Sequence, residues 1–259
     1  METALYVLIA VLGLAIGSFL NVVVWRVPRG ESVVHPGSHC PRCDRPVRGR
    51  DNVPVLSWLV LRGRCRDCGE PIARRYPLVE LGTGVLFVLV YAWQGLTPAL
   101  PAYLYLAAIG VALTLIDLDT HKLPNAIVLP SYPVLAALLT VAAAADGDWQ
   151  ALLRAAIGGA ALYVFYFVVL LVYPAGMGFG DVKLAGLVGA ALAWVGWGAF
   201  AVGAFAAFVL GGVFSVGLIL FRGAGRKSRI PFGPWMIGGA VVGLALGETL
   251  WSGYLDLVL

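Results

Sequence analysis

Two aspartates at the ends of long apolar runs are the residues of this sequence best suited to chemistry. Asp181 follows Gly178 and Gly180 at the start of a run that continues to about residue 221, and Asp117 ends another run. An ionisable side chain at or inside a bilayer is costly, so it indicates a function and a partner. Two close carboxylates share a proton, so that one serves as general base for a water and the other as acid. Such a pair can hydrolyse a peptide bond without a metal.

These residues also have plainer structural interpretations. Asp181 is suited to capping the N-terminus of the next helix, where the helix dipole favours a carboxylate. That role is compatible with catalysis, but alone it leaves Asp117 and the two glycines unexplained. Gly178 and Gly180 permit unusual backbone angles and close approach by another chain. Asp119, two residues beyond Asp117, is expected to be a solvated loop or capping carboxylate.

Four cysteines in a polar segment form two CxxC pairs, with 21 residues between them: Cys40, Cys43, Cys65 and Cys68. This spacing slightly exceeds the usual zinc-ribbon spacing of about 15–20 residues. Four thiolates can hold one tetrahedral Zn²⁺, and a site closed by four sulfurs is structural. Gly63 and Gly69 flank the second pair, as a tight turn requires. The alternative is a pair of disulfides, which requires an oxidising compartment.

The composition indicates a polytopic membrane protein. The chain of 259 residues is 60% hydrophobic and 12% charged, whereas a soluble domain carries about 25% charged residues. Eight apolar runs approach the length of a membrane span, at residues 4–25, 77–93, 100–116, 126–145, 152–173, 182–195, 197–221 and 231–251. The predicted fold is therefore all-α, with about eight transmembrane helices and a small zinc-ribbon-like domain inserted after the first. The boundary near Val195 rests only on glycine as a breaker, but residues 182–221 are too many for one span.

The distribution of cations predicts the topology. Eleven of the 18 Lys and Arg residues lie between Arg26 and Arg75, and all eleven are Arg. Such a block suggests nucleic acid or anionic lipid, but beside membrane spans the positive-inside rule explains it, and no nucleic-acid partner is expected. With the N-terminus outside, the inside loops are 26–76, 117–125, 174–181 and 222–230, and Arg154 is the only cation on the outer side. Asp117 and Asp181 then share the cytoplasmic face.

Three regions follow from these patterns. Residues 1–25 form a first transmembrane helix that is retained, because no basic segment precedes it and Arg26 and Arg29 follow it. Residues 26–76 form a cytosolic, Arg-rich domain with the four cysteines. This segment of about 50 residues has little core of its own, so a metal would supply its folding energy. Residues 77–259 form a seven-helix membrane domain that carries both aspartates.

Further motifs occur in order along the chain, and we quote them as they stand: Gly17-Ser18-Phe19-Leu20-Asn21, Asn52-Val53-Pro54, Arg75-Tyr76-Pro77-Leu78-Val79-Glu80, Leu123-Pro124-Asn125, Gly178-Phe179-Gly180-Asp181 with Lys183, and Pro231-Phe232-Gly233-Pro234. With both CxxC pairs and Asp117, this ordered set resembles the bacterial prepilin peptidases of type IV pilus and type II secretion systems. These enzymes are GxGD intramembrane aspartyl proteases. A lone GxGD motif would be a weak signal.

The resemblance implies a catalytic pair of Asp117 and Asp181, supported by Gly178, Gly180 and Lys183. It implies a bacterial inner-membrane enzyme that cleaves the short basic leader from prepilins and pseudopilins, after a Gly and before a hydrophobic helix. Many bacterial members also methylate the new N-terminus with S-adenosylmethionine, and the cysteine domain is typical of those members. The resemblance assigns no residues to that cofactor.

Three alternatives remain open at this stage. One is an enzyme that cleaves prepilins without methylating them. Another is a proton-coupled transporter, which would carry acids at mid-span, whereas the acids inside these apolar runs, Glu80 and Glu248, lie near span ends. The third is a non-catalytic, zinc-anchored assembly protein, which would tolerate loss of both aspartates. The sequence carries no prediction of the oligomeric state.

Overall fold

The computed structural model describes residues 2–174, 176–222 and 231–258, and this part of the chain is helical. It contains nine α-helices: α1 (Glu2–Arg26), α2 (Leu56–Val60), α3 (Arg75–Gln94), α4 (Leu100–Thr120), α5 (Asn125–Asp146), α6 (Trp149–Val172), α7 (Phe179–Val195), α8 (Trp197–Arg222) and α9 (Gly233–Val258). The only β-structure in the described residues is two isolated bridges. The all-α prediction is confirmed. Most of the predicted basic loop at 222–230, with Arg226, Lys227 and Arg229, lies outside the described residues.

Each predicted span corresponds to one long helix. Seven described helices, α1, α3 to α6, α8 and α9, are long and apolar enough to cross a membrane. The eighth, α7, has 17 residues, ten of them buried, and it packs against α5, α6, α8 and α9. A span needs about 20 residues when it must cross the hydrocarbon alone. Because its neighbours enclose it, α7 forms the interior of its unit. The seven other long helices make the chain a multi-pass membrane protein.

The chain divides into two compact units, residues 1–112 and 113–259. In the first, α1 packs closely on α3 through Gly13 and Gly17, four residues apart on one helix face. A Cβ atom at Gly13 would lie 2.8 Å from the Cα of Gly84, and one at Gly17 would lie 2.8 Å from the Cα of Glu80. Small residues at this spacing let two helix backbones approach closely in lipid.

Close helix packing also organises the second unit. A Cβ atom at Gly189 of α7 would lie 2.5 Å from the main-chain oxygen of Gly158 in α6. Between α8 and α9, a Cβ atom at Gly239 would lie 2.5 Å from the nitrogen of Ala207. Larger side chains at these positions would separate the helices, which accounts for many of the 33 glycines.

The predicted tight hairpin between α7 and α8 is confirmed, and Gly196 alone forms it. Arg154 of α6 donates hydrogen bonds to the main-chain oxygens of Ala193 and Trp194, at 2.5 Å each. On the other side, Glu248 of α9 accepts a hydrogen bond of 3.0 Å from a main-chain N–H in the first turn of α8. A cation at a helix C-terminus and an anion at a helix N-terminus both match the helix dipole. Arg154 therefore stabilises this hairpin.

We expect Arg154→Met to destabilise the protein by about 1–2 kcal/mol, since the α7 carbonyls lose a charged donor. In detergent this lowers the midpoint of thermal unfolding by about 2–8 °C for a chain of this size. Arg154→Lys is the control, because it keeps the charge and should lose less. An unchanged midpoint for Arg154→Met would contradict the role of this side chain.

Candidate active site

Asp117 lies in the last turn of α4 and is buried, with 4% of its surface exposed. Its Oδ2 accepts a hydrogen bond of 3.0 Å from the main-chain N–H of Gly233. Gly233 is the first residue of α9, so the carboxylate lies at a helix N-terminus, where the dipole favours a negative charge. Asp119, two residues further along α4, is exposed, as expected of a solvated carboxylate.

Asp181 is the third residue of α7, and Gly178 occupies the N-cap position. Its Oδ2 accepts a hydrogen bond of 3.1 Å from the N–H of Gly178, while its own N–H donates to the oxygen of Gly178 at 3.1 Å. Asp181 therefore caps the N-terminus of α7 as expected, but from the third helical position rather than from the N-cap position. The helix starts two residues before it, and its side chain reaches back to the N-cap residue, as an acidic residue does in a capping box.

The two aspartates lie in one locality within the second unit, because the backbone next to each of them packs on the same side chain. Leu123 connects their surroundings. A Cβ atom at Gly180 would lie 2.9 Å from the Cβ of Leu123, and one at Gly233 would lie 3.4 Å from its Cδ2. One leucine thus packs against both the glycine before Asp181 and the glycine that binds Asp117. A side chain at Gly180 would collide with Leu123, so glycine is required here for the close approach that the sequence predicted.

Aromatic side chains also line this locality, and the most buried of them, Tyr166, was not predicted from the sequence. Tyr166 of α6 is 1% exposed and lies within electrostatic reach of Asp181. Its ring centroid is 5.6 Å from that of Phe208 and 6.1 Å from that of Phe232. No spacing marks Tyr166 within its apolar run. Phe232, in contrast, directly precedes Gly233 in one of the motifs quoted above.

Lys183 connects the start of α7 with the start of α5. Its Nζ donates a hydrogen bond of 2.7 Å to Oδ1 of Asn125 and lies 4.5 Å from the ring centroid of Phe179. Asn125 is the first residue of α5, and Pro124 is its N-cap. Phe179 is 45% exposed, so packing against neighbours buries only part of its ring.

The four predicted metal ligands converge in the first unit. The four Sγ atoms of Cys40, Cys43, Cys65 and Cys68 all lie within 4.8 Å of one another, and those of Cys40 and Cys68 are 3.7 Å apart. Zn–S bonds of about 2.3 Å in a tetrahedron imply S···S distances of about 3.8 Å. Main-chain N–H groups of Cys43 and Arg42 lower the pKa of the Cys40 thiol to about 7, which favours the thiolate. The cluster could therefore hold a metal ion such as zinc.

The two cysteine pairs form similar knuckles. Asp44 and Gly69 each follow the second cysteine of a pair, and both take a positive φ, 56° and 76°. In each knuckle the N–H of this residue donates to the oxygen of the first cysteine, at 2.9 Å. Gly63 also has a positive φ, of 67°. The tight turn expected around the second pair is therefore confirmed.

Some of the eleven arginines between Arg26 and Arg75 form ion pairs within their own domain. The positive-inside rule, which explained this block from the sequence, does not predict these pairs. Four of these arginines pair with carboxylates of the same domain: Arg42 with Glu70, Arg45 and Arg48 with Asp67, and Arg66 with Asp51. The Arg42 and Arg45 pairs link the first knuckle to the second. The hydrogen bond from Arg66 holds the pKa of Asp51 below its usual value. These four arginines therefore stabilise the fold of the domain.

Gly233→Ala should displace the Asp117 carboxylate without removing it. The added Cβ would lie 2.8 Å from Oδ2 of Asp117, so the carboxylate must move. We expect the rate of the peptide-bond cleavage expected of the two aspartates to fall on the order of 10²-fold, as for a misplacement of about 1 Å at a reacting group. Gly253→Ala on the same helix is the control, because nothing lies within 4 Å of the new Cβ. Equal activity of the two variants would contradict the importance of this contact.

Comparison with known proteins agrees with the two units. The family model described as Bacterial Peptidase A24 N-terminal domain matches residues 11–94, and that of the Type IV leader peptidase family matches residues 104–216.

Relatives named prepilin leader peptidase/N-methyltransferase align along most of the chain. The protein of Aeromonas salmonicida (strain A449) is 36% identical over 97% of this chain and 94% of its own length. That of Neisseria gonorrhoeae is 35% identical over 94% and 91%, and that of Myxococcus xanthus (strain DK1622) is 43% identical over 73% and 56%. No solved structure matches the chain. The extent of these matches establishes that the chain belongs to the type IV leader peptidase family.

Proposed function

We propose that this chain is a membrane-embedded aspartyl endopeptidase of prepilins and pseudopilins. It removes their basic leader at the cytoplasmic membrane face and then methylates the new N-terminal amine with S-adenosylmethionine. The observation that supports the proposal is that Leu123 packs against both the glycine before Asp181 and the glycine that binds Asp117. Each carboxylate accepts a main-chain hydrogen bond at a helix N-terminus.

The two carboxylates work with one shared proton. The ionised carboxylate takes a proton from a water, which attacks the carbonyl carbon of the scissile peptide bond. The protonated carboxylate gives its proton to the carbonyl oxygen, and a tetrahedral intermediate forms. Its collapse breaks the C–N bond, while a carboxyl group protonates the leaving amine. No metal or covalent intermediate takes part in this sequence.

The position of the aspartates fits the shape of a prepilin. A prepilin has a basic leader in the cytosol and an apolar helix in the membrane, so its scissile bond lies at the interface. Asp117 ends a membrane-spanning helix, and Asp181 lies in the first turn of another apolar helix. Leu118 of α4 and Phe179 of α7, close to the two aspartates in sequence, are 54% and 45% exposed. They offer an apolar surface for the start of the substrate helix.

The remaining features are assigned as follows. The N-terminus lies outside the cytoplasmic membrane, and residues 26–76 form a cytosolic domain whose four cysteines hold a structural Zn²⁺. Residues 77–259 form the membrane protease domain, with Gly178, Gly180 and Lys183 supporting the catalytic pair. When bound, S-adenosylmethionine would supply the methyl group for the new N-terminal amine.

Mass spectrometry of a co-expressed prepilin tests both activities. We expect the mature pilin to lack its leader and to be heavier than the bare cleaved chain by the mass of one methylene. A product that is cut but never heavier would restrict the function to proteolysis. An uncut prepilin beside a correctly inserted chain would refute the proposed peptidase.

A further inference from the structure

The short helix α2 is attached to the side of a membrane-spanning helix. The N–H of Val55, the residue before α2, donates a hydrogen bond of 2.7 Å to Oε2 of Glu80. Glu80 is the sixth residue of α3 and is 9% exposed. Val55 has a φ of 61°, which is strained for a β-branched residue and persists only where the surroundings enforce it. The chain between the two cysteine pairs is therefore held at a fixed level along α3.

Measured along α1, the position of Glu80 lies well inside the helix, short of its C-terminal end at Arg26. Gly17 of α1 packs directly on the backbone of Glu80, and it precedes Arg26, the last residue of α1, by nine residues. At the rise of an α-helix, nine residues span about 13 Å. Near this end, the guanidinium of Arg29 lies 3.6 Å from the ring centroid of Trp25. Trp and Arg together are typical of the interface between membrane and water. Glu80 and Val55 thus lie well short of this end of α1, at a level where acyl chains are expected.

The two faces of α2 differ in exposure. Trp58 faces inward, where its Nε1 donates a hydrogen bond of 3.1 Å to the oxygen of Ile72 and its ring contacts the position of Gly63. The opposite side presents large apolar side chains that are 57–76% exposed, namely Leu56, Leu59 and Val60. An exposed apolar cluster of this kind marks an interaction surface.

The charges next to α2 identify the partner. Arg62 and Arg64 directly follow the helix and are exposed. Among the described residues, neither has a carboxylate partner, whereas four other arginines of the domain are paired. Arginines beside an apolar helix face are the arrangement that binds a lipid surface, with the side chains of the helix among acyl chains and the cations at phosphates.

We propose that α2 is a re-entrant interfacial helix, with Leu56, Leu59 and Val60 among the acyl chains and Arg62 and Arg64 at anionic lipid headgroups. It enters the leaflet that contains the Arg26 end of α1. This inference goes beyond the proposed function and does not depend on it. It moves part of the segment 26–76 from the cytosol into the membrane and fixes the cysteine domain on the bilayer surface.

Photolabelling by lipid tests the depth of α2. The full chain is placed in nanodiscs of phosphatidylethanolamine and phosphatidylglycerol whose acyl chains carry a diazirine, irradiated, and mapped by mass spectrometry. We expect adducts on residues 56–60 at least about tenfold above those at Val47, since only the former lie among acyl chains. Val47 is the internal control, an apolar side chain of the first knuckle that is 40% exposed. Equal labelling of the two segments would overturn the proposal.

Two pairs of variants test whether the apolar face of α2 and its attachment to α3 cause the lipid contact. Leu59→Asp should reduce the adducts on this segment at least about fivefold, whereas Val47→Asp should leave them unchanged. Glu80→Ala removes the acceptor for Val55 and should also reduce them, whereas Glu80→Gln keeps an acceptor and should retain them. Adducts on α2 that stay unchanged in both Leu59→Asp and Glu80→Ala would overturn the proposal.

The number of chains in each nanodisc distinguishes lipid from a second copy as the partner of α2. We expect the labelling of residues 56–60 to be the same in discs that hold one chain and in discs that hold two. Labelling that falls in the discs with two chains would show that the helix is shielded by the other copy. That result would assign this face to the second copy and overturn the proposal.

Discussion

Asp117→Asn and Asp181→Asn are each expected to lower the rate of prepilin cleavage by up to about 10⁴-fold, the contribution of a positioned acid or base. Asn keeps the size of the side chain and can still accept from the main-chain N–H of Gly233 or Gly178. It cannot, however, take a proton from water. The corresponding Ala variants, which also lose the hydrogen bond, should be equally inactive. The rates are measured with purified protein in proteoliposomes and a full-length prepilin.

Asp119→Asn is the matched control for these variants. It makes the same substitution at an exposed carboxylate of α4, two residues after Asp117. We expect its cleavage rate to stay within about twofold of the unaltered chain, because an exposed group away from the reacting atoms changes little. Full processing by either Asp117→Asn or Asp181→Asn, with normal insertion, would refute the mechanism.

Cys40→Ser and Cys65→Ser should each remove the bound metal and unfold the cysteine domain. Structural zinc contributes roughly 10–16 kcal/mol of apparent binding energy in small domains, and this energy is folding energy where the core is small. We expect the zinc content to fall from one per chain to near zero, and limited proteolysis to cut residues 26–76 much faster. The readouts are elemental analysis and the rate of cleavage by trypsin.

His39→Ala controls for nonspecific damage next to the first knuckle. His39 lies beside Cys40, but its Nδ1 contacts the oxygen of Gly37 at 3.0 Å, and four sulfurs already complete a tetrahedral site. The zinc content of this variant should remain at one per chain. Unchanged zinc in Cys40→Ser or Cys65→Ser would contradict the four-cysteine site, as would loss of zinc in His39→Ala.

The long elements and the metal ligands could be predicted because their signals are local. Apolar runs reveal helices without knowledge of their neighbours, and the CxxC spacing itself determines that two sulfurs meet. The start of α7 was harder to predict from the sequence. Phe179 and Gly180 belong to the helix although the apolar run starts only at Val182. The carboxylate of Asp181 stabilises this additional turn by binding the N-cap N–H.

The contacts that position the site depend on residues far apart in the sequence. Gly233 and Asp117 are separated by 116 residues, and no periodicity connects them. Leu123 lay within a recognised motif, but its packing against Gly180 and Gly233 follows only from the arrangement of the helices. The cation count likewise predicted an orientation, but it could not distinguish arginines that pair with carboxylates of the domain from those that do not.

Binding of a transition-state analogue tests most directly whether Asp117 and Asp181 form one site. The probe is a peptide of the prepilin junction in which a hydroxyethylene group replaces the scissile amide. Such analogues bind about 10² to 10⁸-fold more tightly than substrates. We predict that Asp117→Asn and Asp181→Asn each lose on the order of 10²-fold in affinity, and that the double variant loses little more, because residues that act as a unit are not additive. Losses that add, or unaltered affinity in either single variant, would contradict a shared site.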